Sequence, residues 1–227
     1  MSWPVLGAVA VLVLANVLNN RLAARWYLLT SLGTAALLLG LYRWAGAPGA
    51  DAGLGPGALR GGLVWGLPLV ALVALACLVG ALLPVTRAVF RDRRVRGASG
   101  AGIAYQVLVR IPLGTVLMEE VAFRGVLYGL LLYGYGVPWA TVGSAVLFGL
   151  WHVPPATALA RNNPVAGRVF DRRRWLLIAL TVLATGLAGA VLGELQRRSG
   201  SLLTPFALHW AVNGLGYLTA YLVSRRP

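Results

Sequence analysis

Seven apolar stretches, at about residues 3–19, 27–43, 63–84, 112–133, 137–153, 175–195 and 201–222, each meet or approach the length needed to cross a bilayer. Inside hydrocarbon every backbone N–H and C=O must find its partner within the segment or in a closed barrel, and apolar runs of this length do so as helices. The expected fold is therefore all-α, a polytopic transmembrane helical bundle with about seven spans, forming a single integral membrane domain over residues 1–227. Composition agrees, because 59% of the residues are hydrophobic and only 11% are charged, against about 25% charged in soluble domains. A net charge of +14 in a soluble protein would suggest nucleic acid. Here the arginines fall in the gaps between apolar runs, as loop charges that orient spans do. Nucleic acid is therefore not an expected partner; membrane lipids are.

The gaps also set orientation. One side collects Arg21 and Arg25, the five arginines from Arg87 to Arg96, the five from Arg161 to Arg174, and Arg225-Arg226, while the other holds Arg43, Arg60, Arg197 and Arg198. Fourteen against four predicts a protein of the cell membrane with its N-terminus outside and its C-terminus cytoplasmic. Met1-Ser2-Trp3 lacks the basic start of a cleavable leader, so the first run reads as a retained span. The single Cys77 lies in a span and excludes both disulfides and cysteine metal sites. Residues 101–111 read as an interfacial helical lead-in, bent or broken at Pro112, with Arg110 reaching to the headgroups. The basic gap ending in Gly97-Ala98-Ser99-Gly100 reads as a flexible loop, and Pro154-Pro155 as the end of the fifth span.

Only six acidic residues occur, and two of them, Glu119 and Glu120, sit with Arg124 inside an apolar run. A charge at membrane depth costs about 2.5–3.5 kcal/mol on insertion scales, which makes the cluster a functional candidate. Glu120 and Arg124 are i,i+4 neighbours on a helix and can pair. Glu119 is turned about 100° from Glu120, and that pair does not account for it. The two histidines, His152 and His209, fall on the fifth and seventh spans, and Asn213 lies one turn after His209. Polar groups in hydrocarbon need partners, and these are the partners available, so Glu119, Glu120, His152, His209 and Asn213 are expected to converge. Phe148 lies one turn before His152, where it can wall the site. Glu194 and Arg197 fall at the opposite end as a structural pair, and the pocket is expected to open toward the cytoplasm.

A carboxylate partly removed from water suits the work of a general base. Beside a histidine it can take a proton from water so that hydroxide attacks an acyl carbon, while a second histidine and an asparagine amide donate to the developing oxyanion. No Ser or Cys is placed beside a histidine to act as nucleophile, which favours direct attack by water.

The three pieces Glu119-Glu120 through Arg124, Phe148 through His152, and His209 through Asn213 resemble the E-E-x-x-x-R, F-x-x-x-H and H-x-x-x-N/D pattern of the CPBP family, the type II CAAX prenyl endopeptidases and bacteriocin-processing or immunity (Abi) proteins. The resemblance covers about residues 101–222, the expected catalytic core. It implies an intramembrane glutamate-dependent endopeptidase in which Glu119 activates water with His152. His209 and Asn213 would form the oxyanion site, and Glu120 and Arg124 would support them. The family was long described as metalloproteases, and one Glu with two His could bind zinc. The chain lacks H-E-x-x-H, and Asn213 suits an oxyanion better than zinc, so no cofactor is expected.

The leading expectation is hydrolysis of a peptide or protein substrate with a hydrophobic or lipidated segment, of CAAX or bacteriocin-like type. The alternative is a non-catalytic immunity or scaffold protein that uses the polar cluster to bind a peptide or partner. A small transporter is disfavoured, because no inverted repeat or paired interrupted helices are visible.

Overall fold

The computed structural model describes residues 3–22 and 24–225, which are helical throughout their regular parts with no strand among them. Met1, Ser2 and Arg226, which enter the leader and charge arguments, lie outside the described residues. The long elements are α1 (Trp3–Val17), α2 (Tyr27–Trp44), α3 (Ala58–Leu82), α4 (Gly100–Tyr135), α5 (Val137–Trp151), α6 (Val153–Asn162), α7 (Arg174–Ser199) and α8 (residues 203–224). Their limits follow local chemistry. The Ser99 hydroxyl accepts from the Gly102 N–H at 3.1 Å and caps the start of α4. Gly136, at φ 82°, supplies the left-handed turn that ends α4, and Pro138 then sits in the first turn of α5.

Two expectations about proline are corrected. α4 is not broken at Pro112; it runs through in a widened π register over Gln106–Val116. That register re-routes the backbone bonds around the position where proline offers no donor. Pro154 and Pro155 do not end a helix either, but lie in the first turn of α6, where a missing N–H breaks no bond. The chain bends by 45° between α5 and α6, and His152 is the residue at the bend.

Among the described residues four helices are long and apolar enough to cross a membrane, Trp3–Asn20, Ala58–Leu82, Gly100–Tyr135 and Arg174–Ser199, and a fifth is added if α5 and α6 form one bent span. All seven anticipated segments are helical, but α2 and α8 do not meet this standard. α2 carries Thr30, Ser31, Thr34 and Arg43, and α8 carries Thr204, His209 and Asn213.

The core lies between α1, α2, α4 and α5, around Leu12, Leu38, Tyr42, Phe123, Leu127 and Phe148. α5 packs closely on α7, because Gly149 lets the backbones meet: a Cβ there would lie 2.6 Å from the Val182 carbonyl. Leucines of α3 and α7 such as Leu67, Leu72, Leu183 and Leu187 face outward, as suits lipid contact. The basic stretch between α3 and α4 is not an unstructured loop but forms short helical turns, Pro84–Arg87, Ala88–Phe90 and Arg93–Val95. Arg93 donates to the Arg161 carbonyl at 3.2 Å, and the Asn163 amide donates to the Val89 carbonyl at 3.0 Å. The two five-arginine stretches thus meet at one end of the bundle.

Candidate active site

Glu119 and Glu120 lie on α4 where the helix has crossed half the bundle, and both side chains are buried, as is Arg124. Glu120 is held twice: its Oε1 accepts from Arg124 Nη1 at 3.1 Å and lies 2.6 Å from His209 Nδ1. The Arg124 guanidinium also sits over the Phe148 ring, 3.8 Å from its centroid. This is the ion pair expected from the i,i+4 spacing, extended by a histidine from α8 that spacing alone could not assign. Glu119 is oriented differently. Its Oε1 accepts from the Trp151 indole N–H at 3.0 Å, while Oε2 has no hydrogen-bond partner among the described protein atoms. That free oxygen lies 4.0 Å from His152 Nε2 and 3.8 Å from His209 Nε2.

The ring protons follow from the partners. His152 Nδ1 lies 2.8 Å from the Phe148 carbonyl, which can only accept, so Nδ1 carries the proton and the neutral ring presents a lone pair at Nε2. Phe148 also packs edge-on against His152, with centroids 4.5 Å apart, as the spacing suggested. His209 Nδ1–H donates to the Glu120 carboxylate, so His209 can donate from Nε2 only when both ring nitrogens are protonated. Its assignment as an oxyanion donor is therefore conditional, whereas the Asn213 amide carries donors in every state.

Glu119, His152 and Asn213 line one hollow of about 650 Å³, together with Asn19, Tyr27 and Trp151. His209 is not among its lining residues and touches the site through Nε2 alone, so three of the four expected residues share the cavity wall and the fourth stands at its margin. Arg94 and Arg110 also face the hollow. Arg94 is tied to Asp92 at 2.6 Å, whereas Arg110 lies over the Tyr27 ring at 4.7 Å and reaches only the Gln106 amide oxygen, at 3.4 Å. Arg110 is thus a wall of the site. At the opposite end Glu194 pairs with Arg197 at 2.7 Å, and also with Arg198 at 2.6 Å, as an exposed structural cluster.

Sequence reasoning missed Trp151, Tyr27 and Asn19. Trp151 carried a signal, being an N–H donor next to His152. Asn16, Asn19 and Asn20 share one face near the end of α1, a polar patch that an apolar span does not need. Asn19 donates to Ser31 at 3.2 Å and accepts from Thr30, which ties α1 to α2 at the mouth of the hollow. Tyr27 is bonded to Thr115 of α4 at 3.0 Å. Among the described residues no group of three or more His, Cys, Asp or Glu side chains is arranged to hold a metal ion.

The family model described as Type II CAAX prenyl endopeptidase Rce1-like matches residues 101–215, just over half of the chain. The matched stretch contains every one of the paired carboxylates, both histidines and Asn213. No curated protein and no solved structure matches the chain. Its apolar helices and this match make it a multi-pass membrane protein from a family of proteases that act on protein or peptide substrates. The chain belongs to the Type II CAAX prenyl endopeptidase Rce1-like family.

Proposed function

We propose that the protein is a glutamate-dependent intramembrane endopeptidase in which water, activated by Glu119 and His152, attacks the peptide carbonyl directly. The observation that carries this reading is the pair of acceptors 4.0 Å apart, Glu119 Oε2 and the His152 Nε2 lone pair. A water between them donates one O–H to each, which turns its own lone pair toward the substrate carbonyl in the hollow. Glu119 then takes the proton as the C–O bond forms and returns it to the leaving amine. Asn213 donates to the oxyanion, joined by His209 in its doubly protonated form. Glu120, Arg124 and Phe148 hold these groups in place, and the catalytic core spans about residues 101–222 with α1 and α2 closing the mouth.

The same hollow supports a substrate that ends in a free carboxylate. Arg110 has no carboxylate partner among the described residues and lies nine positions before Glu119 on α4. Nine helical residues rise about 10–13 Å, the reach of about three or four extended peptide residues, so a chain anchored at Arg110 presents a bond close to its C-terminus. A CAAX-type substrate, lipidated upstream of that bond, fits this arrangement. The arginine-rich end of the bundle, where the hollow opens, is read as cytoplasmic.

The test is cleavage of a lipidated peptide by purified protein in liposomes. Glu119→Gln is expected to lower kcat by about 10²–10⁴-fold, the usual contribution of a general base. The peptide with a free C-terminal acid is expected to be cleaved faster than its C-terminal amide, an advantage lost in Arg110→Gln, and EDTA is expected to leave the rate unchanged. Cleavage surviving in Glu119→Gln would overturn the role of Glu119, and a wild type that binds the peptide without cleaving it would favour a scaffold.

A further inference from the structure

Two adjoining cavities lie between α3, the short turns that follow it and α8. The first, of about 580 Å³, lies at the arginine-rich end and is lined by Arg87, Arg91 and Arg96 with Leu82, Pro84 and Val223. Asp92 is the acidic group on its wall, and that carboxylate is already occupied by Arg94, which it meets at 2.6–3.1 Å. No carboxylate is paired with Arg87, Arg91 or Arg96 among the described residues, so three arginines line this cavity without an acidic partner of their own. The second cavity, of about 200 Å³, is an apolar groove between α3 and α8 lined by residues such as Ala74, Leu78, Ala81 and Leu218. The two share Leu82 and Val223 and so form one path, cationic at the bundle end and apolar toward the bilayer centre.

We infer that this path is a binding site for one anionic phospholipid, its phosphate among Arg87, Arg91 and Arg96 and an acyl chain along the α3/α8 groove. Guanidinium forks match phosphate oxygens, and basic pockets between helices at a membrane surface favour anionic headgroups. Charge alone would accept any phosphate; the groove adds the requirement for a hydrocarbon chain. The site also touches the catalytic side, since Asp92 lines the lipid pocket and clamps Arg94, which lines the hollow.

The experiment is native mass spectrometry of the full-length protein, transferred from detergent micelles holding equal amounts of dioleoyl phosphatidylglycerol and dioleoyl phosphatidylcholine. One phosphatidylglycerol is expected to remain bound in preference to phosphatidylcholine. Arg87→Gln/Arg91→Gln/Arg96→Gln, all at the water-facing rim, is expected to reduce that retention about tenfold or more, as loss of three cationic contacts requires. Ala81→Phe, which fills the groove and leaves every arginine in place, is expected to reduce it independently. Glycerophosphoglycerol and inorganic phosphate, which carry the anion without chains, are expected not to displace the lipid at equal concentration. Equal retention of both lipids, undiminished retention in the triple variant, or displacement by inorganic phosphate would each overturn the assignment to an anionic lipid.

Discussion

At the scale of single residues, the site depends on how each polar group spends its hydrogen bonds. Glu119 gives one oxygen to Trp151 and leaves the other without a protein partner among the described residues, while Glu120, its neighbour, gives one oxygen to both Arg124 and His209. Two adjacent carboxylates thus meet different partners because a helix turns them about 100° apart. Trp151→Phe keeps the ring but removes the N–H, so Glu119 loses the bond that sets its angle. The expected outcome is a fall in kcat of about tenfold with KM little changed, consistent with loss of an orienting hydrogen bond of about 1.5–3 kcal/mol to a charged group, and steady-state cleavage kinetics would show it. Glu119, Glu120, Arg124 and the histidines were legible from the sequence because charges and imidazoles stand out in an apolar chain. Trp151 was passed over although it stands next to His152, since indole is common in membrane helices and its N–H gains meaning once its acceptor is in view. The Glu120–His209 bond was equally hidden, because residues 89 positions apart carry no periodicity that links them.

At the scale of elements, His152, at the end of α5, is placed by a helix that rests on a glycine. α5 and α7 approach through Gly149, where a Cβ would stand 2.6 Å from the Val182 carbonyl, a backbone atom that cannot swing aside. Gly149→Ala therefore forces the two helices apart one turn from His152. Overpacking of this kind costs about 1–3 kcal/mol, so thermal unfolding in detergent is expected to begin at lower temperature and cleavage to weaken with it. An unchanged midpoint would show that the helices slide without penalty. The helices themselves were readable from apolar length. The behaviour of the prolines was not. A proline predicts a lost N–H bond, but whether the helix breaks, bends or widens depends on the neighbours that bury it, and at Pro112 the neighbours favour the π register that carries α4 on to Glu119.

At the scale of the whole molecule, α4, α8 and the bend after α5 bring Glu119, Asn213 and His152 to one hollow, α2 and the turn after α1 add Tyr27 and Asn19, and the two basic stretches meet at one end of the bundle. The resemblance in sequence reached α4 to α8 and left α1 and α2 generic. Their part in the site comes from Asn19 and Tyr27, single side chains whose role depends on the assembled bundle. Orientation follows from the arginine balance: a thiol probe that does not cross membranes is expected to label Ser99→Cys in a Cys77→Ala background from the cytoplasmic side only. Labelling from outside would reverse the topology. The central claim is that Glu119 and His152 act on one water as a unit. Single-turnover cleavage rates of Glu119→Gln, His152→Ala and the double variant test it most directly. The account predicts that the double variant is no slower than the slower single variant; losses that multiply, or a double variant that still cleaves at the wild-type rate, would contradict it.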